Sequence, residues 1–242
     1  MKKKDKESLF LEKIQLICFG YAGSVASNFN QLSSYLKDTI LFSVVEYRGR
    51  GSRSKEEVYK NNKELIVDAA EQIKKIRKLE MPYAILGYSM GVQVVYELFA
   101  QHLIEEMPTC VILAAHQSPD VDCTAKGVNL EDREEFLKYV KRYGGLDERL
   151  LREERFASIF LSRIKTDFKL LQLYQFNGEY YKFPVKVVIL YSEEDTPYQV
   201  MQKWKQFAEQ EIKFYSLEKG HFFYKTDPEK FCMIIKAELE YL

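Results

Sequence analysis

The 242-residue chain is short of several things, and each shortage removes a class of function. Four cysteines, Cys18, Cys110, Cys123 and Cys232, lie far apart with no C-x-x-C pair. They outline neither a disulfide framework nor a metal site, and buried free thiols in a reducing compartment are expected. Neither sign of charge is in surplus, with Lys plus Arg and Asp plus Glu at 36 each. A general nucleic-acid binder needs a basic excess, so no nucleic-acid partner is expected. Long apolar runs are missing too, and nothing nears the ~18 residues of a membrane-spanning helix. At the start, MKKKDKESLFLEKIQ, the acids Asp5, Glu7 and Glu12 interrupt what a signal peptide would keep apolar. A soluble cytoplasmic protein without a membrane partner is expected. Histidine is scarce as well, limited to His102, His116 and His221.

What is present is material for a large core, with 46% hydrophobic and 14% aromatic residues. Strand-like runs cover Ile14–Phe19 and residues 40–45, 83–86, 109–115, 185–191 and 212–217. Helix-like stretches fall between them. One carries Phe29, Leu32 and Leu36, and a long one over residues 57–79 puts Leu65, Ile66, Ala69, Ile73 and Ile76 on one face. Others span residues 92–100, 200–208 and 228–242. This alternation predicts an α/β fold with a mostly parallel sheet flanked by helices. Residues 120–182 break the rhythm. Amphipathic helices are expected over residues 130–143 and 150–174, around Gly144-Gly145, with Phe136, Leu137, Val140, then Phe156, Ile159, Phe160 and Ile164 apolar. Roughly sixty residues stand where short crossovers are the rule. An inserted helical lid over the carboxyl edge of the sheet accounts for them better than an ordinary helix pair. Residues 1–119 and 183–242 then form the core domain.

The run Gly87-Tyr88-Ser89-Met90-Gly91 sits where a strand passes into a helix. Glycines two before and two after a serine, in a strand-turn-helix, are the pattern of a nucleophile elbow. A serine hydroxyl needs a base within hydrogen-bonding reach. His102 reads as a surface residue, and His116 follows the strand over residues 109–115. His221, in Gly220-His221-Phe222-Phe223, follows the last strand. An acid is required to orient the imidazole. Asp195, in Tyr191-Ser192-Glu193-Glu194-Asp195-Thr196-Pro197, follows the strand over residues 185–191. Glu193 and Glu194 stand close beside it, and Asp120 or Asp122 on the earlier loop is the other source. The order serine, acid, histidine resembles that of α/β-hydrolases, and His221 alone fits it. One oxyanion donor is then the backbone N–H of Met90, and the second comes from the loop Gly20-Tyr21-Ala22-Gly23.

Taken in order, these segments are similar to the type II (external, editing) thioesterases of nonribosomal peptide and polyketide synthesis. Leu16-Ile17-Cys18-Phe19 running into Ala22-Gly23 resembles the family's first strand and oxyanion loop. Arg48-Gly49-Arg50-Gly51-Ser52-Arg53 resembles its Pro-Gly-Arg loop, and Gly87-Tyr88-Ser89-Met90-Gly91 its Gly-His-Ser-Met-Gly elbow. Tyr143-Gly144-Gly145 and Lys165-Thr166-Asp167-Phe168 resemble its lid region. Trp204 follows the acid loop as a tryptophan does there, and Gly220-His221-Phe222-Phe223 matches its histidine motif. Three positions depart from the pattern: Gly20-Tyr21 stands for Pro-His, Arg48 for proline and Tyr88 for histidine.

The resemblance implies hydrolysis of acyl thioesters held on the phosphopantetheine arm of acyl or peptidyl carrier proteins. It implies Ser89, Asp195 and His221 as catalytic residues and the Met90 and Ala22 N–H groups as oxyanion donors. No ligand cluster suggests a metal or other cofactor, and a monomer is expected. Carrier proteins are generally acidic, so Arg48, Arg50, Arg53 and Lys55 offer a docking patch, unless these arginines are tied into the fold. The rival readings are a hydrolase of oxygen esters or small acyl-CoA, an acyltransferase, and a non-catalytic binding protein.

Overall fold

The structure, a computed structural model, describes residues 13–122, 124–144 and 154–240. The expectations placed on Cys123, Gly145, the start of the chain and the first residues of the helix over 150–174 lie outside them. Among the described residues six strands form one sheet: β1 (Ile14–Phe19), β2 (Ile40–Val44), β3 (Tyr83–Tyr88), β4 (Cys110–Ala114), β5 (Lys186–Tyr191) and β6 (Lys213–Ser216). All neighbours run parallel, in the order β2-β1-β3-β4-β5-β6. Every residue of β1, β3 and β4 is buried, as strands covered on both faces must be.

Successive side chains of a strand point to opposite faces, and this divides the core in two. Ile17, Phe19, Ile85, Val111, Leu113 and Ile189 meet α2 (Asn62–Ile76) and α3 (Met90–Ala100) on one face. Leu16, Cys18, Leu86, Ile112 and Leu190 meet α1 (Asn30–Leu36) and the closing helix, Pro228–Leu239, on the other. The chain steps from β1 to β2 in one direction, then builds β3 to β6 in the opposite one. Such a reversal opens a crevice at the carboxyl ends of the strands beside it, here β1 and β3.

Helix ends differ most from the sequence expectation, because distant side chains set them. The helix expected over residues 57–79 is shorter at both ends. Asn61 caps it by accepting the Glu64 N–H at 2.9 Å, while the Tyr59 hydroxyl turns back onto Asp68 at 2.6 Å. At the far end the fully buried Gln15 donates to the Ile76 carbonyl at 3.0 Å and accepts the Lys78 N–H at 2.8 Å.

Between β4 and β5 lie α4 (Arg133–Lys141) and α5 (Glu154–Leu173). Asp132 caps α4 by accepting the Glu134 and Glu135 N–H groups. Gln172 anchors α5, donating to the carbonyls of Ala125 and Val128 at 2.8 Å each, and Asn62 donates to the Leu170 carbonyl at 3.0 Å. After β5 the helix expected over residues 200–208 begins earlier and changes winding. Pro197 caps α6 (Tyr198–Met201), which tightens into a 3-10 helix over Gln202–Phe207. Residues three apart eclipse in that winding, so Trp204 and Phe207 both face inward, fully buried. After β6, a short helix that the sequence reading missed, α7 (Phe223–Thr226), precedes the closing α8 (Pro228–Leu239).

Candidate active site

The crevice holds the serine corner. Ser89 sits between β3 and α3 with φ 54° and ψ −118°, a left-handed conformation unusual for a residue with a side chain. Its N–H donates to the Ala114 carbonyl at 2.8 Å, and its carbonyl accepts the Val92 N–H at 2.8 Å. The flanking glycines are required by close approach. A Cβ on Gly87 would stand 2.8 Å from the Gly91 carbonyl oxygen, and one on Gly91 would overlap the carbonyl of Phe19. The turn therefore presses the start of α3 directly onto the end of β1.

Two further loops meet the corner. After β5, the Ser192 carbonyl accepts the N–H groups of Asp195 at 3.0 Å and Thr196 at 2.9 Å, closing a turn that carries Asp195. After β6, Lys219 and Gly220 have φ of 73° and 67°, and this paired left-handed bend delivers His221. His221 Nε2 lies 2.9 Å from Ser89 Oγ, and its Nδ1 lies 2.9 Å from Asp195 Oδ2. The side chains of His221 and Asp195 are each 10% exposed.

Three of the other candidate acids are engaged elsewhere. Asp120 accepts the Ser118 hydroxyl, Asp122 pairs with Lys126, and Glu193 accepts the Tyr198 N–H at 3.3 Å. His102 is exposed, its ring against Tyr181. His116 lines the site, with Nδ1 2.7 Å from the Gln117 carbonyl. Burial pushes the His116 pKa below its ordinary value, in spite of that hydrogen bond.

Behind His221 stands Tyr88, fully buried, whose hydroxyl donates to the His221 carbonyl at 2.6 Å. Burial drives the Tyr88 phenol far above its ordinary pKa, so it remains a donor. Nothing in the sequence marks a contact between a side chain and a backbone carbonyl 133 residues away.

Above the corner is a cavity of about 140 Å³ lined by Ser89, Met90, Ala22, Asp195 and His221. Most of its remaining wall is apolar and aromatic, with His116, Gln117 and Thr196 as polar exceptions. Tyr139, Val140 and Tyr143 contribute from α4 and just beyond it, and Phe160, Ile164 and Phe168 from α5. The Tyr143 ring sits edge-on to His221, centroids 4.7 Å apart. Part of the apolar stripe of these helices faces the cavity. Met90 is the first residue of α3, and an N–H there lacks an intrahelical acceptor. Ala22 belongs to a loop held from three sides. Tyr47 donates to the Gly20 carbonyl at 3.1 Å, the Ser24 N–H to the Tyr21 carbonyl at 3.0 Å, and the Gly23 N–H to Asp167 at 2.6 Å.

The expected docking patch needs correction. Arg50 is 1% exposed and forms a two-pronged pair with Asp167, so no partner surface reaches it. Burial opposes its charge, and the Asp167 carboxylate more than compensates, leaving the Arg50 pKa raised. Arg53, 13% exposed, is spent on Asp68 at 2.7 Å and Glu56 at 2.6 Å. Arg48 is one-third exposed and reaches the same Asp68 at 3.2 Å. These arginines mainly fasten the loop after β2 to α2 and α5. Among the described residues, no group of three His, Cys, Asp or Glu is gathered as a metal site.

The geometry offers a hydroxyl, an imidazole and a carboxylate in series, beneath a partly open cavity. The family profile named Thioesterase domain matches residues 14–239. The gramicidin S biosynthesis protein GrsT of Aneurinibacillus migulanus is 26% identical over 215 residues, covering 87% of this chain and 83% of that protein. Two solved structures share the architecture. ClbQ from the colibactin NRPS/PKS pathway has a TM-score of 0.83 at 23% identity, covering 94% of this chain and 97% of that one. The RedJ thioesterase of the prodiginine pathway in Streptomyces coelicolor has a TM-score of 0.81 at 21% identity, covering 93% and 85%. The shared fold is that of the α/β-hydrolases.

Proposed function

The chain belongs to the thioesterase domain family, and from that premise we propose that it is a type II thioesterase. It releases acyl groups from the phosphopantetheine arm of carrier proteins and so clears stalled or misprimed synthase modules. The observation that carries this reading is the Ser89–His221–Asp195 series, with spacings of 2.9 Å and 2.9 Å, at the floor of an apolar cavity. The relatives' printed names, in gramicidin S and colibactin pathways, point the same way.

In this mechanism Ser89 Oγ attacks the thioester carbonyl while His221 Nε2 takes its proton. The tetrahedral oxyanion is held by the Met90 and Ala22 N–H groups. Collapse expels the pantetheine thiolate, which receives the proton from His221, and leaves the acyl group on Ser89. His221 then deprotonates water, the second tetrahedral intermediate collapses, the free acid leaves, and Ser89 recovers its proton. Asp195 holds the tautomer of His221 throughout and stabilises its charged form. Residues 120–182 act as a lid, and the enzyme works as a cytoplasmic monomer that uses no cofactor of its own.

The test is a hydrolysis panel of acyl-carrier, acyl-CoA and nitrophenyl ester substrates. Carrier-bound thioesters are expected to react fastest, and a strong preference for simple oxygen esters would overturn the carrier reading. Ser89→Ala is expected to cut turnover by ~10⁴-fold or more while folding and carrier binding persist. Asp195→Asn is expected to lower kcat far more than Asp120→Asn; the reverse order moves the acid to the earlier loop.

A further inference from the structure

Asp167 lies in the second half of α5, the helix walling the cavity, and is 1% exposed. Its carboxylate meets two demands. Oδ2 accepts the Gly23 N–H at 2.6 Å, and the Arg50 guanidinium reaches both oxygens, Nη1 at 2.6 Å and Nη2 at 2.5 Å. Arg50 Nη1 also donates to the Ser24 carbonyl at 3.3 Å. One buried ion pair therefore grips an amide and a carbonyl of the same turn. Helix and loop are in such close contact that a Cβ on Gly23, whose φ is +82°, would overlap Ile164.

An ion pair at this depth is a weak source of stability, since two charges must be taken out of water to make it. Two apolar side chains of similar volume would often hold the same elements together as well or better. What they could not do is accept the Gly23 N–H. That hydrogen bond fixes the planar peptide joining Ala22 to Gly23. The Ala22 N–H belongs to the next plane, joined to it only through the Ala22 Cα.

We propose that Asp167 is a positioning residue for the oxyanion loop, fixing the peptide beside Ala22 from the helix over the cavity, with Arg50 as its buried counter-charge. The inference rests on the reading of Ala22 as an oxyanion donor. It makes the second half of α5 part of the frame of the site, so that this helix and the loop keep one relation to Ser89.

Two double variants separate the acceptor from the charge. Arg50→Met/Asp167→Leu removes both and fills the space; Arg50→Gln/Asp167→Asn removes the charges but keeps an amide oxygen for Gly23. With an acyl-carrier thioester, the Met/Leu pair is expected to lower kcat ~10–100-fold with KM within about twofold, at a nearly unchanged thermal midpoint. The Gln/Asn pair is expected to recover most of that loss. Full turnover by the Met/Leu pair, or an equal loss in both pairs, overturns the proposal.

A measurement on the unaltered protein decides the matter even where a variant fails to fold. Ala22-Gly23 is the only Ala-Gly step in the sequence, so carbonyl-labelled alanine with nitrogen-labelled glycine isolates the Gly23 amide in an NMR spectrum. A short, charge-assisted hydrogen bond is expected to move its proton well downfield. An ordinary shift refutes the clamp. Failure of the catalytic reading looks different, because it shows as thioester turnover retained in Ser89→Ala.

Discussion

The Tyr88 hydroxyl, 2.6 Å from the His221 carbonyl, joins the strand that leads into Ser89 to the loop that carries His221. Tyr88→Phe keeps the ring, and so most of its packing against Phe223 and Tyr224, but leaves that carbonyl without its donor. The expected cost is ~1–3 kcal/mol of stability and a several-fold fall in kcat at nearly constant KM, read by denaturant titration and steady-state kinetics. Unchanged kcat would reduce Tyr88 to a packing residue. At this scale the sequence was most legible where a residue follows a strand in a recognisable motif, as Ser89, Asp195 and His221 do. It was least legible where the deciding partner is remote. Whether Arg50 faces a partner or is tied into the fold stayed open in the sequence, because its carboxylate, Asp167, lies 117 residues further along the chain.

Strands were readable to within about two residues, because an apolar run bounded by turn residues has one way to be buried in a parallel sheet. Helix ends were not, since Gln15 and Tyr59 set the limits of α2 from outside its own pattern. The cavity wall was only half readable: apolar periodicity places the stripes of α4 and α5 inward, but inward includes both core and cavity. The start of α3 carries the sharpest constraint. Gly91→Ala would drive a methyl group into the Phe19 carbonyl, which belongs to the backbone of β1 and cannot rotate aside. A loss of ~1–3 kcal/mol or more is expected, as a lower thermal midpoint. The fraction that still folds should hydrolyse thioesters slowly, because Phe19 leads into the loop of the proposed oxyanion donor Ala22. Full activity at an unchanged midpoint would contradict the close approach.

For the molecule as a whole, acid sensitivity follows from His116, whose pKa burial holds below the ordinary 6.5. The unfolded chain then binds a proton that the folded one resists. Its contribution to stability is complete above about pH 6.5 and is lost progressively as the pH falls toward the depressed folded value. The thermal midpoint is expected to drop on acidification below about pH 6.5, and His116→Gln to flatten that slope. An identical slope in the variant would assign the acid sensitivity to other groups.

The contact between Ser89 and His221 spans 132 residues, and Asp195 is 26 residues before His221. During synthesis Ser89 and its strained corner leave the ribosome long before either partner exists. In the proposed mechanism, a chain that stops short of residue 221 carries the serine without its base and is expected to turn over no acyl thioester. On that reading, hydrolytic power arrives only when residue 221 has been made and has folded back onto the corner.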